Sequence, residues 1–308
     1  MGYSADIPLT AGTVQANGVE LAYESWGESD KPVMLLVMGL SCQMWMWPDP
    51  FVALLVKQGF RVVRFDNRDV GGSSSVKRQM PINLPLSYFK YRLGSLPKAH
   101  YNLHDMAEDT LALMNALKLT DVHLVGVSMG GMIGQLLAAK HPDKLESLTL
   151  LMTSTNHPNL PTPDPRLIKF VFARKLAGRN KQRVVDHQQA MWETIGSPAY
   201  PTDPNMLRQL LEQCFDRDFR PAGMVRQTHA ILATGSLIKW TREVTLPTQI
   251  IHGMADPLIS VKASLQLKQL ISGAKLVTIP GMGHDIPQGL YQTISDIITN
   301  HIKSHESD

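Results

Sequence analysis

Three residue types needed for acyl transfer through a covalent intermediate stand in this sequence in contexts that could bring them together. Ser128 lies at the centre of Gly126-Val127-Ser128-Met129-Gly130, after an apolar run and before a helix-like segment. A turn this tight strains the serine backbone, and a β-carbon two residues to either side would collide with the neighbouring strand or helix. A serine hydroxyl is a poor nucleophile at neutral pH and needs a neutral imidazole to take its proton. Of the eleven histidines, His123, His141, His301 and His305 read as structural or surface residues. His284 differs, because Ile279-Pro280-Gly281-Met282-Gly283-His284 ends a strand in a glycine-rich loop. Such loops lie at the edge where parallel strands display ligands.

The orienting carboxylate is expected at another strand end. Ile250-Ile251-His252-Gly253-Met254-Ala255-Asp256 places Asp256 there, after the strand that precedes the strand of His284. Asp66 is the rival acid, in Asp66-Asn67-Arg68-Asp69-Val70-Gly71-Gly72-Ser73, where tying the loop through Arg68 is the expected role. Asp285 is expected to meet solvent or cap the last helix. An oxyanion needs backbone N–H donors, and Met129 N–H at a helix start and Leu40 N–H after Met38-Gly39 are the candidates.

The elements that must hold these residues alternate along the chain. An Asn17-Gly18 turn joins two alternating runs as a hairpin. Val33 to Val37 and Arg61 to Phe65 read as strands around a helix from about Pro48 to Gln58, and Val122 to Val125 leads into Ser128. Residues 76–101, with prolines at 81, 85 and 97, read as an irregular excursion. Asn102 is the expected cap of the helix that follows. After a strand near Leu145 to Leu151 the rhythm stops, and 154–243 reads as consecutive helices with no strand. That segment carries thirteen Lys/Arg against eight Asp/Glu. Strands then resume at Pro247 and Lys275, and a final amphipathic helix closes the chain. The expected architecture is α/β, a mostly parallel central sheet with helices on both faces. Residues 1–153 and 244–308 form its core, and 154–243 form an inserted helical cap.

With 308 residues the chain is long enough to bury a full core without covalent staples. Its two cysteines, Cys42 and Cys214, are far apart in sequence and outside any metal-ligand spacing, so no metal is expected. No basic start with an apolar run opens the chain, and no apolar stretch approaches the ~20 residues that cross a bilayer. The expected setting is cytoplasmic, without a membrane partner. A net charge of +3 with no Lys/Arg block gives no nucleic-acid partner. Sixteen methionines fit either an adaptable core or a deformable apolar pocket, for which Met38, Met44, Trp45 and Met282 are the candidates.

These motifs resemble the α/β-hydrolase fold superfamily, whose triad order is Ser128, Asp256, His284 when carried onto this chain. More narrowly, Val37-Met38-Gly39-Leu40, Trp47-Pro48-Asp49, Arg64-Phe65-Asp66-Asn67-Arg68-Asp69-Val70-Gly71, the serine pentapeptide and the His284 loop are similar to aclacinomycin methylesterase-like esterases. That resemblance implies a cofactor-free carboxylic ester hydrolase, acting on a small-molecule ester. Where many relatives have a histidine before the oxyanion glycine this chain has Met38, so the loop is expected to lack a polar anchor. The expected reaction is cleavage of small to medium, largely apolar esters through an acyl-enzyme. The alternatives are an aminopeptidase, for which Asp186 and Glu193 could read a free amine, a cofactor-free peroxidase or perhydrolase, and a ligand sensor with very slow turnover.

Overall fold

The computed structural model describes residues 7–76, 80–167 and 178–306. In chain order, β1 (Leu9–Ala16) and β2 (Val19–Trp26) form the hairpin, and β3 (Val33–Val37), α1 (Asp49–Lys57), β4 (Arg61–Phe65) and α2 (Leu84–Arg92) follow. Next come α3 (Leu103–Ala116), β5 (Val122–Val127), α4 (Met129–Lys140) and β6 (Ser147–Leu151). Between β6 and β7 lie α5 (Lys181–Ile195), α6 (Pro204–Arg217), α7 (Pro221–Thr234) and α8 (Ile238–Arg242), with no strand among the described residues. The chain ends with β7 (Thr248–Gly253), α9 (Lys262–Leu270), β8 (Lys275–Ile279) and α10 (Tyr291–Glu306). Residues 168–177 of the expected helical segment lie outside the described residues, as do 1–6 at the N-terminus and 77–79 of the excursion.

The eight strands form one sheet in the order β1-β2-β4-β3-β5-β6-β7-β8. The pairs β1–β2 and β2–β4 are antiparallel, and every pair from β4 through β8 is parallel. The hairpin turn has φ of 50° at Asn17 and 75° at Gly18, the left-handed pair that matches strand twist. Alternation along β3 divides the core. Val33, Leu35 and Val37 pack with Leu103, Met106 and Leu113 of α3 and Ile133 and Leu137 of α4. Met34 and Leu36 pack with Phe51, Val52 and Leu55 of α1 and Ile294, Ile298 and Ile302 of α10. The helices thus cover both faces, and strands buried on both sides read as unbroken apolar runs. No helix of the described residues is long and apolar enough to cross a membrane.

The excursion before α3 is more regular than expected. Its α2 starts at Leu84 with Asn83 as cap, the Asn83 side chain accepting from Leu86 N–H, and Pro85 sits in the first turn. Proline there removes an N–H that has no helical partner, so it starts this helix and does not break it. Asn102 caps α3 as expected, and Asp105 returns a bond to the Asn102 N–H.

Two histidines at the opposite edge of the sheet from the motif loops make stability pH-dependent. Burial holds both His123 and His301 down to about 4 from 6.5, because a cation loses its hydration inside. Above the ordinary value both are neutral, folded or unfolded. As pH falls from 6.5 toward 4, the unfolded chain takes up protons that the folded chain refuses, and stability drops. The slope is at most about 1.4 kcal/mol per pH unit for each histidine. Urea melts of wild type and His123→Met over that window should show the slope reduced by about one proton in the variant. An unchanged slope would remove His123 as a contributor.

Candidate active site

Ser128 closes β5 and caps α4 with φ 53° and ψ −118°, a left-handed backbone that a serine adopts only at a cost of about 1–3 kcal/mol. Its N–H is fixed by the Leu151 carbonyl at 2.9 Å. Glycine is required on both sides. A β-carbon at Gly126 would lie 2.5 Å from the Gly130 carbonyl oxygen, and one at Gly130 would lie 2.0 Å from that of Val37. The serine therefore stands at the C-terminal edge of the sheet, half-buried.

The structure brings Asp256 and His284 together. His284 Nδ1 and Asp256 Oδ2 are 2.7 Å apart, which leaves Nε2 as the nitrogen open to another partner. Asp256 Oδ1 accepts from the N–H groups of Leu258 and Ile259, each at 2.8 Å. Burial alone would raise the Asp256 carboxyl. It is outweighed by the charge of His284, by hydrogen bonds from His252 and His284 and by the Ile259 N–H, which hold the group well below the usual carboxylate range. His252, four residues before the acid, lies 3.4 Å from it through Nε2. Its Nδ1 is 2.6 Å from Ser264 Oγ.

The His284 loop is gripped by the end of α5 and the segment after it. His284 N–H donates to the Ile195 carbonyl at 2.7 Å. Ser197 Oγ accepts from Gly283 N–H and donates to Asp285 Oδ1 at 2.5 Å. Asp285 therefore neither faces solvent alone nor caps α10; it holds Ser197. Gly283 allows this approach, since a β-carbon there would lie 2.3 Å from the Gly196 carbonyl oxygen.

The β3 exit turn lies against the serine. A β-carbon on Gly39 would stand 3.2 Å from Ser128 Cβ. The next N–H belongs to Leu40, and among the described residues no hydrogen bond takes up the N–H of Leu40 or of Met129. Contrary to expectation, this turn has polar anchors. Asn67 Nδ2 donates to the Met38 carbonyl at 3.0 Å. Ser41, at φ 61°, donates its N–H at 2.7 Å to Gln227 Oε1. Gln227 is fully buried on α7, and its Nε2 donates to the Arg68 carbonyl at 2.8 Å. Sequence inspection missed Gln227, and no local pattern near Gly39 points to a residue 186 positions away.

Asp66 is committed elsewhere. It accepts from Met44 N–H and Gly72 N–H and pairs with Arg217 of α6 at 2.6 Å. It does tie its loop, through Arg217 and not through Arg68, whose guanidinium pairs with Asp109. Three residues on, buried Asp69 takes both Arg226 of α7 and the Tyr101 hydroxyl. The four apolar pocket candidates are largely packed away. Met38 and Met282 belong to the core beneath α1 and α10, and Met44 is equally buried. Trp45 is half-buried, with Nε1 donating to Glu24 and the Arg217 guanidinium 4.5 Å from its ring. Cys42 and Cys214, distant in sequence, come close enough for one to influence the other, and burial pushes both thiols up to about 12. Among the described residues no group of three or more His, Cys, Asp or Glu could hold a metal.

The family model of the alpha/beta hydrolase fold matches residues 32–287. The chain belongs to the α/β-hydrolase fold family. Within it, the chain is similar to rhodomycin D methylesterase DauP of Streptomyces sp. (strain C5), 24% identical over 93% of this chain and 96% of that protein. The same identity and coverage hold for rhodomycin D methylesterase DnrP of Streptomyces peucetius, in keeping with the resemblance to aclacinomycin methylesterase-like esterases. Among solved structures, the enol-lactonase from Burkholderia xenovorans LB400 superposes with a TM-score of 0.71 at 24% identity, covering 96% of this chain and all of that one. This last likeness concerns the α/β-hydrolase fold itself.

Proposed function

We propose that this α/β-hydrolase is a serine esterase that cleaves carboxylic esters of small to medium, largely apolar molecules. The observation that carries the reading is the Asp256–His284 pair at 2.7 Å, held at the same sheet edge as a strained, half-buried Ser128. In this reading His284 Nε2 takes the proton of Ser128 Oγ as the oxygen attacks the ester carbonyl. Asp256 holds the tautomer and stabilises the imidazolium. The N–H groups of Leu40 and Met129 receive the oxyanion, each contributing on the order of 3 kcal/mol to transition-state binding. The imidazolium then protonates the leaving alcohol, and a water activated by His284 releases the acid. The described helices between β6 and β7 act as a cap over this edge, as the ties from α6 and α7 to the β3 and β4 exit loops support. The two methylesterase relatives support a carboxylic ester as the substrate class.

Two features weigh against an aminopeptidase. Asp186 is paired with Arg208, and Glu193 accepts from Gln189, so both carboxylates already have partners on the outside of the helices. The test is labelling by a fluorophosphonate followed by turnover of p-nitrophenyl esters, methyl esters and aminoacyl amides. Labelling of Ser128 with repeated ester turnover is expected. Labelling without any turnover would sink the esterase reading in favour of a ligand sensor.

Gln227 has a positioning role in the same reading. Gln227→Met keeps the volume and loses both hydrogen bonds, so Leu40 N–H should lose its aim. A fall in kcat of about 10- to 100-fold with KM nearly unchanged is expected, because the donor acts in the transition state. A change confined to KM, or to thermal stability, would assign Gln227 to packing alone.

A further inference from the structure

The α2 region turns its apolar side outward. Leu86, Phe89 and Leu93 follow helical spacing on one face and are 49%, 59% and 69% exposed, with Tyr88 and Leu96 exposed beside them. Five of the nine large exposed apolar residues of the described chain fall within these eleven positions, far more clustering than single surface residues require. The opposite face of α2 is anchored. Ser87 and Tyr91 are buried, and the Tyr91 hydroxyl donates to the Asn156 carbonyl at 3.0 Å. Asn156 follows β6, at the sheet edge that carries Ser128.

Charge says what covers this face. Lys90, Arg92 and Lys98 are exposed around the apolar residues, and the sequence has no Asp or Glu between Asp69 and Asp105. An exposed apolar ridge flanked by Lys90, Arg92 and Lys98, in a segment without carboxylates, matches an anionic lipid surface, where the side chains enter the headgroup boundary and the cations meet phosphates. A second copy of the chain would set cations against cations across a two-fold axis. We propose that α2 and the turn after it dock this protein on anionic phospholipid bilayers, with the Ser128 edge brought toward the lipid. This peripheral contact needs no spanning segment, and it departs from the expectation of no membrane partner. It is also independent of the esterase reading, since binding is measured without turnover.

The test uses the full chain with vesicles of phosphatidylcholine alone and of phosphatidylcholine mixed with phosphatidylglycerol in roughly equal parts. Cosedimentation with the mixed vesicles, weakened by added salt and slight with phosphatidylcholine alone, is expected. Lys90→Glu with Arg92→Glu should lower partitioning by about 30-fold or more, from about 5-fold for each cation removed. Phe89→Asp, with Leu93→Ser as a milder second variant, should lower it while leaving thermal unfolding unchanged. The proposal is overturned by equal binding to both vesicle types, by variants that bind like wild type, or by no binding. It is also overturned if wild type forms a dimer in solution that Phe89→Asp returns to monomer, since the ridge would then be covered by a second copy.

Discussion

Ser128→Ala is expected to lower kcat by about 10⁶-fold on any ester that the wild type turns over. In the proposed mechanism, removing one oxygen deletes the only atom that forms the covalent bond and leaves His284 with no hydroxyl to activate. The surroundings should survive. The backbone at position 128 is held by Leu151 and by the α4 start, none of which needs the side chain. The variant should therefore still bind ester, with a KM-independent Kd measurable by calorimetry, and should retain a slow reaction from the Leu40 and Met129 donors. Loss of fluorophosphonate labelling in parallel with loss of turnover is the required pair of results. Turnover undiminished in Ser128→Ala would dismiss the covalent mechanism.

Asp256→Asn should lower kcat by about 10⁴-fold, because an amide no longer favours the His284 tautomer with its Nδ1 proton toward the acid. Two backbone donors, Leu258 and Ile259, remain for the amide oxygen, so the loop should keep its shape. Asp66→Asn is the matched control. Its carboxylate serves Arg217 and two backbone N–H groups, and losing that charge should cost about 1.5–3 kcal/mol of stability with a far smaller effect on kcat. The reverse pattern would make Asp66 the orienting acid. The lowered carboxyl of Asp256 also has a sign. Its stabilising contribution is complete above the usual carboxylate range and is lost progressively as pH falls from that range through the lowered value. Asp256 thus stays ionised through mild acid, and an acid limb of kcat/KM between about pH 5 and 7 belongs to a group other than Asp256.

The strands and the Ser128 turn are legible in the sequence because their causes are local. β3 and β5 are buried on both faces and therefore read as apolar runs, and Gly126 and Gly130 sit where backbone approaches backbone. The Asp256–His284 contact is legible one step further, since each follows a strand and neighbouring strands β7 and β8 bring the two ends together. The α2 helix was hidden because Pro85 reads as a breaker until its place in the first turn is seen. The supports of the β3 turn were hidden for a deeper reason. Gln227, Arg217 and Arg226 reach the β3 and β4 loops only after the chain has crossed the sheet and returned. A contact of that range leaves no period or spacing in either partner. For the same reason the motifs leave Met38, Met44 and Met282 open between core and pocket, and only the packing shows them buried.

The grip of α7 on Ser41 bears on how this family diversifies. If the helices between β6 and β7 were an interchangeable module, a graft from a relative would change which esters fit and leave the reaction rate alone. Here the module also carries the glutamine that shapes the turn beside Ser128 and the two arginines that neutralise Asp66 and Asp69. A chimera lacking them inherits two buried carboxylates without counter-charges and an unsupported turn. Swaps that retain Arg217, Arg226 and Gln227 are the ones in which selectivity can be retuned separately from rate.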